Sequence, residues 1–150
     1  IGLLHERAGR DAEAREAYGR ALVEDLSYAE AHTRLGMLAL AERDTATAVR
    51  ELQQAVELRG DDAMLRLQLA VVLVAAGRPS DAPAHLEKAI ALEPWFAAPY
   101  FTLARLSEAY EMREQAVQRY TEFMARVPAS DPRLAEVRAR LAAIAAPAAR

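Results

Sequence analysis

Apolar and small residues return along this chain every 34 positions, most legibly in the stretch 63–96, AMLRLQLAVVLVAAGRPSDAPAHLEKAIALEPWF. One small-residue site falls at Gly2, Gly36, Ala70 and Ala104, each preceded by an aliphatic residue, Ile1, Leu35, Leu69 and Leu103. A second falls at Ala14, Ala48, Ala82 and Ala116, with Tyr18, Leu52, Leu86 and Tyr120 four positions later. Ala21, Ala55 and Ala89 continue the series until Phe123 breaks it, and each unit closes at Leu26, Gly60, Pro94 or Pro128. The pattern predicts two helices per unit. Small side chains at Gly36 and Ala48 let them approach closely, and Leu35 and Leu52 fill the gaps between. One such hairpin cannot cover its own apolar faces, so stability has to come from stacking each hairpin on the next.

Start and stop signals place the elements. A helix over 1–8 stops at Gly9, and Asp11 caps the next, running to about residue 25. The second unit reads as helices over 29–42 and 45–58, with Asp44 as N-cap and Gly60, Asp61 and Asp62 as the turn. In the third, 63–76 ends at Gly77, and Ser80 as N-cap puts Pro83 in the first turn of a helix over 81–92, where its missing donor costs little. The fourth gives 98–110 and 113–127, the latter ended by Pro128. Asp131 and Pro132 open a final helix to about residue 145, dry along Leu134, Val137, Leu141 and Ile144 and wet along Arg133, Glu136, Arg138 and Arg140. The tail after Pro147 is expected to fray. Ile1 falls at a mid-helix site, so the sequence is expected to be a fragment lacking about half a dozen upstream residues and any initiator Met.

This register resembles the tetratricopeptide repeat over about nine tenths of the chain. The resemblance implies an all-α, right-handed superhelical solenoid of antiparallel helix hairpins with a C-terminal capping helix. The chain would form one domain, with a truncated repeat 1–28, full repeats 29–62, 63–96 and 97–130, a capping helix 131–146 and a tail 147–150. It also implies that the first helix of each unit lines an inner, concave face that contacts ligands. Those positions are Leu3, Glu6 and Arg7, then Glu30, Thr33, Arg34, Met37, Leu40 and Ala41 in the second unit. The third unit contributes Met64, Leu67, Gln68, Val71, Val74 and Ala75, and the fourth Ala98, Phe101, Thr102, Arg105, Glu108 and Ala109. Adaptors of this family that grip carboxylate-rich chaperone tails use a clamp of Lys, Asn, Asn, Lys and Arg. The corresponding residues are Thr33, Met37, Gln68, Ala98 and Thr102 in one frame, and Leu3, Arg34, Met64 and Gln68 in the other, so no such clamp forms.

The middle of this groove is apolar, which admits two readings. It is a seat for an amphipathic helix or extended apolar segment, with Met37 and Met64 as adaptable surface. Alternatively, tight curvature buries these side chains against neighbouring first helices. Arg34 and Arg105 can meet an acidic group on a partner, or they are simply solvated or paired with Glu30 and Glu108. Trp95, in the turn between the third and fourth units, is a candidate interface anchor, whereas Phe96 reads as a staple of that turn onto the next helix.

Composition changes little. The net charge of -3 lacks the basic excess of a phosphate-backbone binder, so no nucleic-acid partner is expected. With 53% apolar residues the chain can bury a core, yet no apolar run approaches the roughly 18 residues of a membrane span, and no signal peptide is visible. The absence of Cys excludes disulfides and thiolate metal sites. Lys88 is the only lysine, and the Arg and Ala bias suggests a GC-rich bacterial gene. His5, His32 and His85 are too scattered for a local metal-ligand spacing, and no phosphate loop or nucleophile elbow occurs. No catalysis, metal or cofactor is therefore expected. Two functions remain, a module binding a protein or peptide in its groove, and a structural module that packs within a larger chain or self-associates through apolar Ile1 and Leu4 at an open N-terminal end. A third is a regulatory appendage of an upstream enzyme domain. The compartment is not legible.

Overall fold

Each hairpin closes where its first helix runs into one residue with left-handed backbone. Gly9, Arg43, Gly77 and Glu111, again 34 positions apart, have φ of 66°, 64°, 73° and 58°. The residue after each donates its N–H back to the carbonyl five positions earlier, as in Arg10 to His5 and Asp44 to Ala39, both at 2.9 Å. Arg78 to Leu73 and Met112 to Ser107 repeat the bond at 2.8 Å. This is the Schellman arrangement, which satisfies carbonyls the helix end leaves without partners.

The computed structural model describes residues 1–146. It comprises two compact units, Ile1–His85 and Leu86–Arg150. The first holds α1 (Gly2–Arg7), α2 (Asp11–Glu24), α3 (Ala29–Ala41), α4 (Thr45–Leu58), α5 (Ala63–Ala75) and a 3-10 turn, Pro79–Asp81. The boundary falls within α6 (Ala82–Leu92), and the second unit continues with α7 (Ala97–Ala109), α8 (Arg113–Met124) and α9 (Arg133–Ala145). No strand occurs among the described residues, and the fold is an all-α array of antiparallel helix hairpins. The expected tail 147–150 lies outside the described residues.

The recurring small residues are where the helices meet. Gly2, Gly36, Ala70 and Ala104 are buried, as are Ala14, Ala48, Ala82 and Ala116. A Cβ on Gly36 would stand 2.8 Å from Leu52 Cγ and 3.3 Å from the Ala48 carbonyl oxygen, so α3 and α4 touch nearly backbone to backbone. Around these contacts Ala14, Tyr18, Ala31, Leu35 and Leu38 form one apolar cluster of the first unit. In the second, Tyr100, Ala104, Ala116, Tyr120 and Phe123 of α7 and α8 receive Leu134 and Val137 from α9. Phe123, where the small-residue column breaks, is fully buried there. Its place in the 34-residue register is held by Ala21, Ala55 and Ala89 in the other hairpins.

Several ends differ from the sequence expectation. Asp11 is the first helical residue and makes no cap; Arg10 precedes it. Asp44 does cap α4, accepting from the Thr47 N–H at 3.0 Å. Asp62 caps α5 in the same way, accepting from Leu65 N–H at 2.9 Å. Ser80 does not cap α6, because the chain enters through the 3-10 turn, whose first residue Pro79 needs no N–H partner. α8 ends at Met124, three residues before the expected end. The residue preceding Pro128 is disfavoured in helical conformation, and the turn begins early. Asp131 serves α9 from one residue further out than expected, accepting the Arg133 N–H at 2.9 Å while its carboxylate holds the Arg133 guanidinium.

Candidate functional site: the inner faces of α3 and α5

Residues 64, 67, 68, 71 and 74 share one face of α5 by the three-to-four spacing of a helix, and 30, 33, 34, 37 and 40 share one face of α3. These faces meet in a shallow cleft of about 180 Å³ lined by Glu30, Thr33, Arg34 and Met37 of α3 and Met64, Leu65 and Gln68 of α5, with Arg59 and Asp62 from the turn between α4 and α5. The charges inside it are spoken for. Arg34 Nε donates to Glu30 at 2.7 Å and its Nη1 reaches Glu6 of α1 at 3.4 Å. Arg59 Nη2 donates to Asp62 at 2.9 Å. Thr33 Oγ1 donates to the Ala29 carbonyl of its own helix at 2.9 Å. Among the described residues, Gln68 is the polar side chain of the cleft with no hydrogen bond.

The wall is otherwise apolar and partly open. Met64 is 52% exposed, Val71 43%, and Met37 and Val74 38% each, while Leu40 and Leu67 are half-buried. Four apolar side chains of these two faces thus stay open to solvent in the first unit. Of the residues singled out from sequence, Arg34, Met37, Met64 and Gln68 line the cleft, and Leu40, Leu67 and Val71 continue the same faces.

The remaining three belong to the second unit. Phe101 packs its ring 5.2 Å from Phe123 and 6.2 Å from Tyr120, with the Arg133 guanidinium 5.8 Å away, so it supports the core as much as it faces outward. Arg105 is exposed and makes no ion pair among the described residues. Trp95 is 82% exposed. The guanidinium of Arg126 lies 4.0 Å from the Tyr100 ring centre and 6.0 Å from that of Trp95, and its Nε donates to the Pro94 carbonyl at 2.7 Å, holding the turn beneath the indole.

One arrangement escaped sequence reasoning. Tyr120 Oη donates to Glu108 at 2.7 Å, and Arg140 of α9 donates to the same carboxylate at 2.9 Å. Burial, then the bond to Glu108, pushes the Tyr120 hydroxyl far above the ordinary tyrosine range. The signal lay in two columns taken together: Glu6, Leu40, Val74 and Glu108 against Tyr18, Leu52, Leu86 and Tyr120. The hairpins that carry tyrosine in one column carry glutamate in the other, and those that carry leucine carry an aliphatic residue.

His32 is buried, with Nδ1 2.8 Å from Glu51 and Nε2 3.3 Å from the Leu26 carbonyl, and it ties α3 to α4 and to the preceding turn. Among the described residues no group of three or more His, Asp or Glu is placed to hold a metal ion, and no helix is long and apolar enough to cross a membrane.

Sequence models of the tetratricopeptide repeat match residues 29–62 and 73–141. A TPR repeat-containing protein of Pseudomonas aeruginosa is 38% identical over 138 residues, covering 92% of this chain and 55% of that protein. The chain thus spans about half the length of this relative. Among solved structures, that of MamA superposes with a TM-score of 0.79 at 25% identity, over 83% of this chain and 73% of that one. YrrB, described as a TPR protein with an unusual peptide-binding site, gives 0.82 at 20% identity, over 95% and 72%.

Proposed function

The chain belongs to the tetratricopeptide repeat family, and from that premise we propose that it is a protein-interaction scaffold whose inner face seats a helical or extended, partly apolar polypeptide segment. The observation that carries this reading is the exposed strip of Met37, Met64, Val71 and Val74, flanked by half-buried Leu40 and Leu67. Contiguous apolar surface in contact with water is uncommon unless something covers it. The peptide-binding site ascribed to YrrB gives the reading a precedent within the fold. Met37, Leu40, Met64, Leu67, Gln68 and Val71 supply the contact in the first unit, Arg34 borders it, and Trp95 and Arg105 are further contacts. Phe101 contributes less, because its ring is already engaged by Phe123 and Tyr120.

The test is affinity capture with the intact chain against a Leu67→Glu variant, both checked by circular dichroism. Partners retained by the first and lost by the second, at equal helicity, support the groove. Partners retained equally by both refute it. Phe101→Glu is a poor probe, since it damages the α7–α8 core as well.

A second reading, self-association, is favoured by the exposure of Ile1 (84%), Leu4 (66%), Val23 (87%) and Leu26 (77%). A dimer seen by sedimentation that dissociates in Leu4→Glu supports it; a monomer at every concentration removes it.

A further inference from the structure

The repeat slips out of register at one corner. α2, α4 and α8 begin at Asp11, Thr45 and Arg113, equivalent positions of the 34-residue register, and the remaining equivalent is Pro79. There α6 starts late, at Ala82, behind the 3-10 turn Pro79–Asp81. A helix begun at Pro79 would need an N–H at residue 83 to bond the Pro79 carbonyl, and Pro83 has none. Places where a chain departs from its own local pattern are where function is expected.

Beside this corner lies a groove of about 380 Å³ that shares no residue with the cleft of α3 and α5. Val49 and Ala76 give it apolar lining, and Thr45 and Gln53 add a hydroxyl and an amide that can donate. Its charged lining is of one sign, Arg50 of α4 and Arg78 of the corner, with no carboxylate among the described residues.

Both arginines are bonded along one edge. Arg50 Nε and Nη2 donate to one oxygen of Glu51 at 3.2 and 3.0 Å, and Arg78 Nε and Nη2 donate to one oxygen of Asp81 at 2.8 and 2.6 Å. A guanidinium has five N–H donors, so each keeps its Nη1 pair for a further acceptor. The neighbouring acids are engaged as well. The second Glu51 oxygen lies 2.8 Å from His32 Nδ1, and Asp44 accepts the Thr47 N–H at 3.0 Å.

We propose that this groove is a separate interaction site and that it takes an acidic peptide segment, whose carboxylates meet the free edges of Arg50 and Arg78 while small apolar residues lie against Val49 and Ala76. Charge decides the occupant. A carboxylate meets two guanidinium edges and two neutral donors, whereas a basic segment meets repulsion and an apolar one leaves the donors unanswered.

The test is fluorescence anisotropy of a labelled peptide of alternating glutamate and alanine, added to the intact chain. Its controls are a twin with glutamine for glutamate, and inorganic phosphate as competitor. The expected result is saturable binding of the glutamate peptide and about tenfold weaker binding of the twin. Gln53→Glu, which puts a carboxylate into the groove and leaves both arginine pairs in place, should weaken the glutamate peptide by about tenfold as well. Arg78→Gln should lose as much, and Leu67→Glu on the inner face should bind as the unaltered chain does, all at equal helicity by circular dichroism.

No binding of the glutamate peptide, or equal binding of the twin, overturns the proposal. Displacement by inorganic phosphate at the peptide's own concentration would make the groove a site for any small anion and remove the peptide as its occupant. Binding lost in Leu67→Glu and kept in Gln53→Glu would move the acidic segment to the inner cleft, which overturns this site and leaves the reading of the inner face standing.

Discussion

The first and fourth hairpins carry the same three residue types and use them differently. Glu6 and Tyr18 stand three periods before Glu108 and Tyr120, and each glutamate faces an arginine of a later helix, Arg34 on α3 or Arg140 on α9. In the fourth hairpin the tie is closed. Tyr120 and Arg140 both donate to Glu108, and Arg140 Nε also holds Glu136 at 2.9 Å. In the first it is open. Arg34 gives its short bond to Glu30 and reaches Glu6 at 3.4 Å, and the buried Tyr18 hydroxyl has no partner. Burial, and then the nearby Glu6 charge, push that hydroxyl above the ordinary tyrosine range. The second and third hairpins carry neither glutamate nor tyrosine in these two columns; the second has Leu40 and Leu52 there, and the third Val74 and Leu86. A buried hydroxyl and its acceptor are kept or lost together, since either alone strands an unpaired polar atom. Losing both puts an aliphatic residue, Leu40 or Val74, where the first and fourth hairpins carry glutamate.

The largest expected effect breaks the closed tie from its centre. Glu108→Leu leaves the Tyr120 hydroxyl without its acceptor and Arg140 with one carboxylate, and should destabilise the chain by about 2–3 kcal/mol. Glu6→Leu, at the looser site, should cost about 1 kcal/mol or less. Adding Tyr120→Leu to Glu108→Leu recreates the residue combination of the second hairpin, Leu40 and Leu52. It should therefore cost less than the sum of the two single changes, a coupling of about 1 kcal/mol. Guanidinium melts followed by circular dichroism measure all four, and equal losses for Glu6→Leu and Glu108→Leu would erase the distinction between the hairpins.

Removing the hydroxyls alone should split the two sites by sign. Tyr120→Phe loses a made hydrogen bond and should lower stability by about 1 kcal/mol, whereas Tyr18→Phe removes an unpaired buried oxygen and should be neutral or slightly stabilising. A matched loss in both variants would mean that Tyr18 is bonded after all.

Acid sharpens the same contrast. Burial pushes the Glu108 carboxyl up, but the Tyr120 hydroxyl and the Arg140 guanidinium outweigh it and hold the group below the usual carboxylate range. A depressed folded-state value means that its stabilisation is fully present above the unfolded value of about 4.3 and is lost as pH falls through the folded value. Thermal melts should therefore drop below about pH 4, and Glu108→Gln should shallow that limb while lowering stability at neutral pH. An unchanged acid limb in Glu108→Gln would remove Glu108 as its source.

How much of this was legible follows from what each signal encodes. The phase of Ala14, Ala48, Ala82 and Ala116 encodes helix contact directly, because only a small side chain fits there, and it placed every hairpin. Helix ends were read less well. Asp11 and Ser80 look like caps by type, but a cap depends on backbone direction, which Arg10 and the Pro79 turn determine instead. The inner face was legible as positions and not as a surface, since exposure depends on what packs opposite. Phe101 and Leu67 stand at equivalent positions, 34 apart, yet among the described residues only Phe101 packs against aromatic rings. The Tyr and Glu columns were each visible; their correspondence emerges only once the two helices of a hairpin are laid side by side.

The smallest expected effect lies at the hairpin corners, where the contrast between the first and fourth hairpins reverses. The loosely tied first hairpin turns on Gly9, for which φ of 66° is free of penalty, and a Cβ there would meet nothing within 4 Å. The tightly tied fourth turns on Glu111 at φ 58°, a conformation that disfavours any residue with a side chain. Glu111→Gly should therefore stabilise by about 0.5 kcal/mol, the relief of local strain exceeding the added freedom of the unfolded chain. Gly9→Ala should destabilise by about 1 kcal/mol for the opposite reason. Arg43, in the same backbone conformation at φ 64°, is the internal control and should respond to Gly as Glu111 does. If Glu111→Gly is destabilising while Arg43→Gly is not, the glutamate holds its corner through its side chain, and the fourth hairpin is tied at its turn as well as at Glu108.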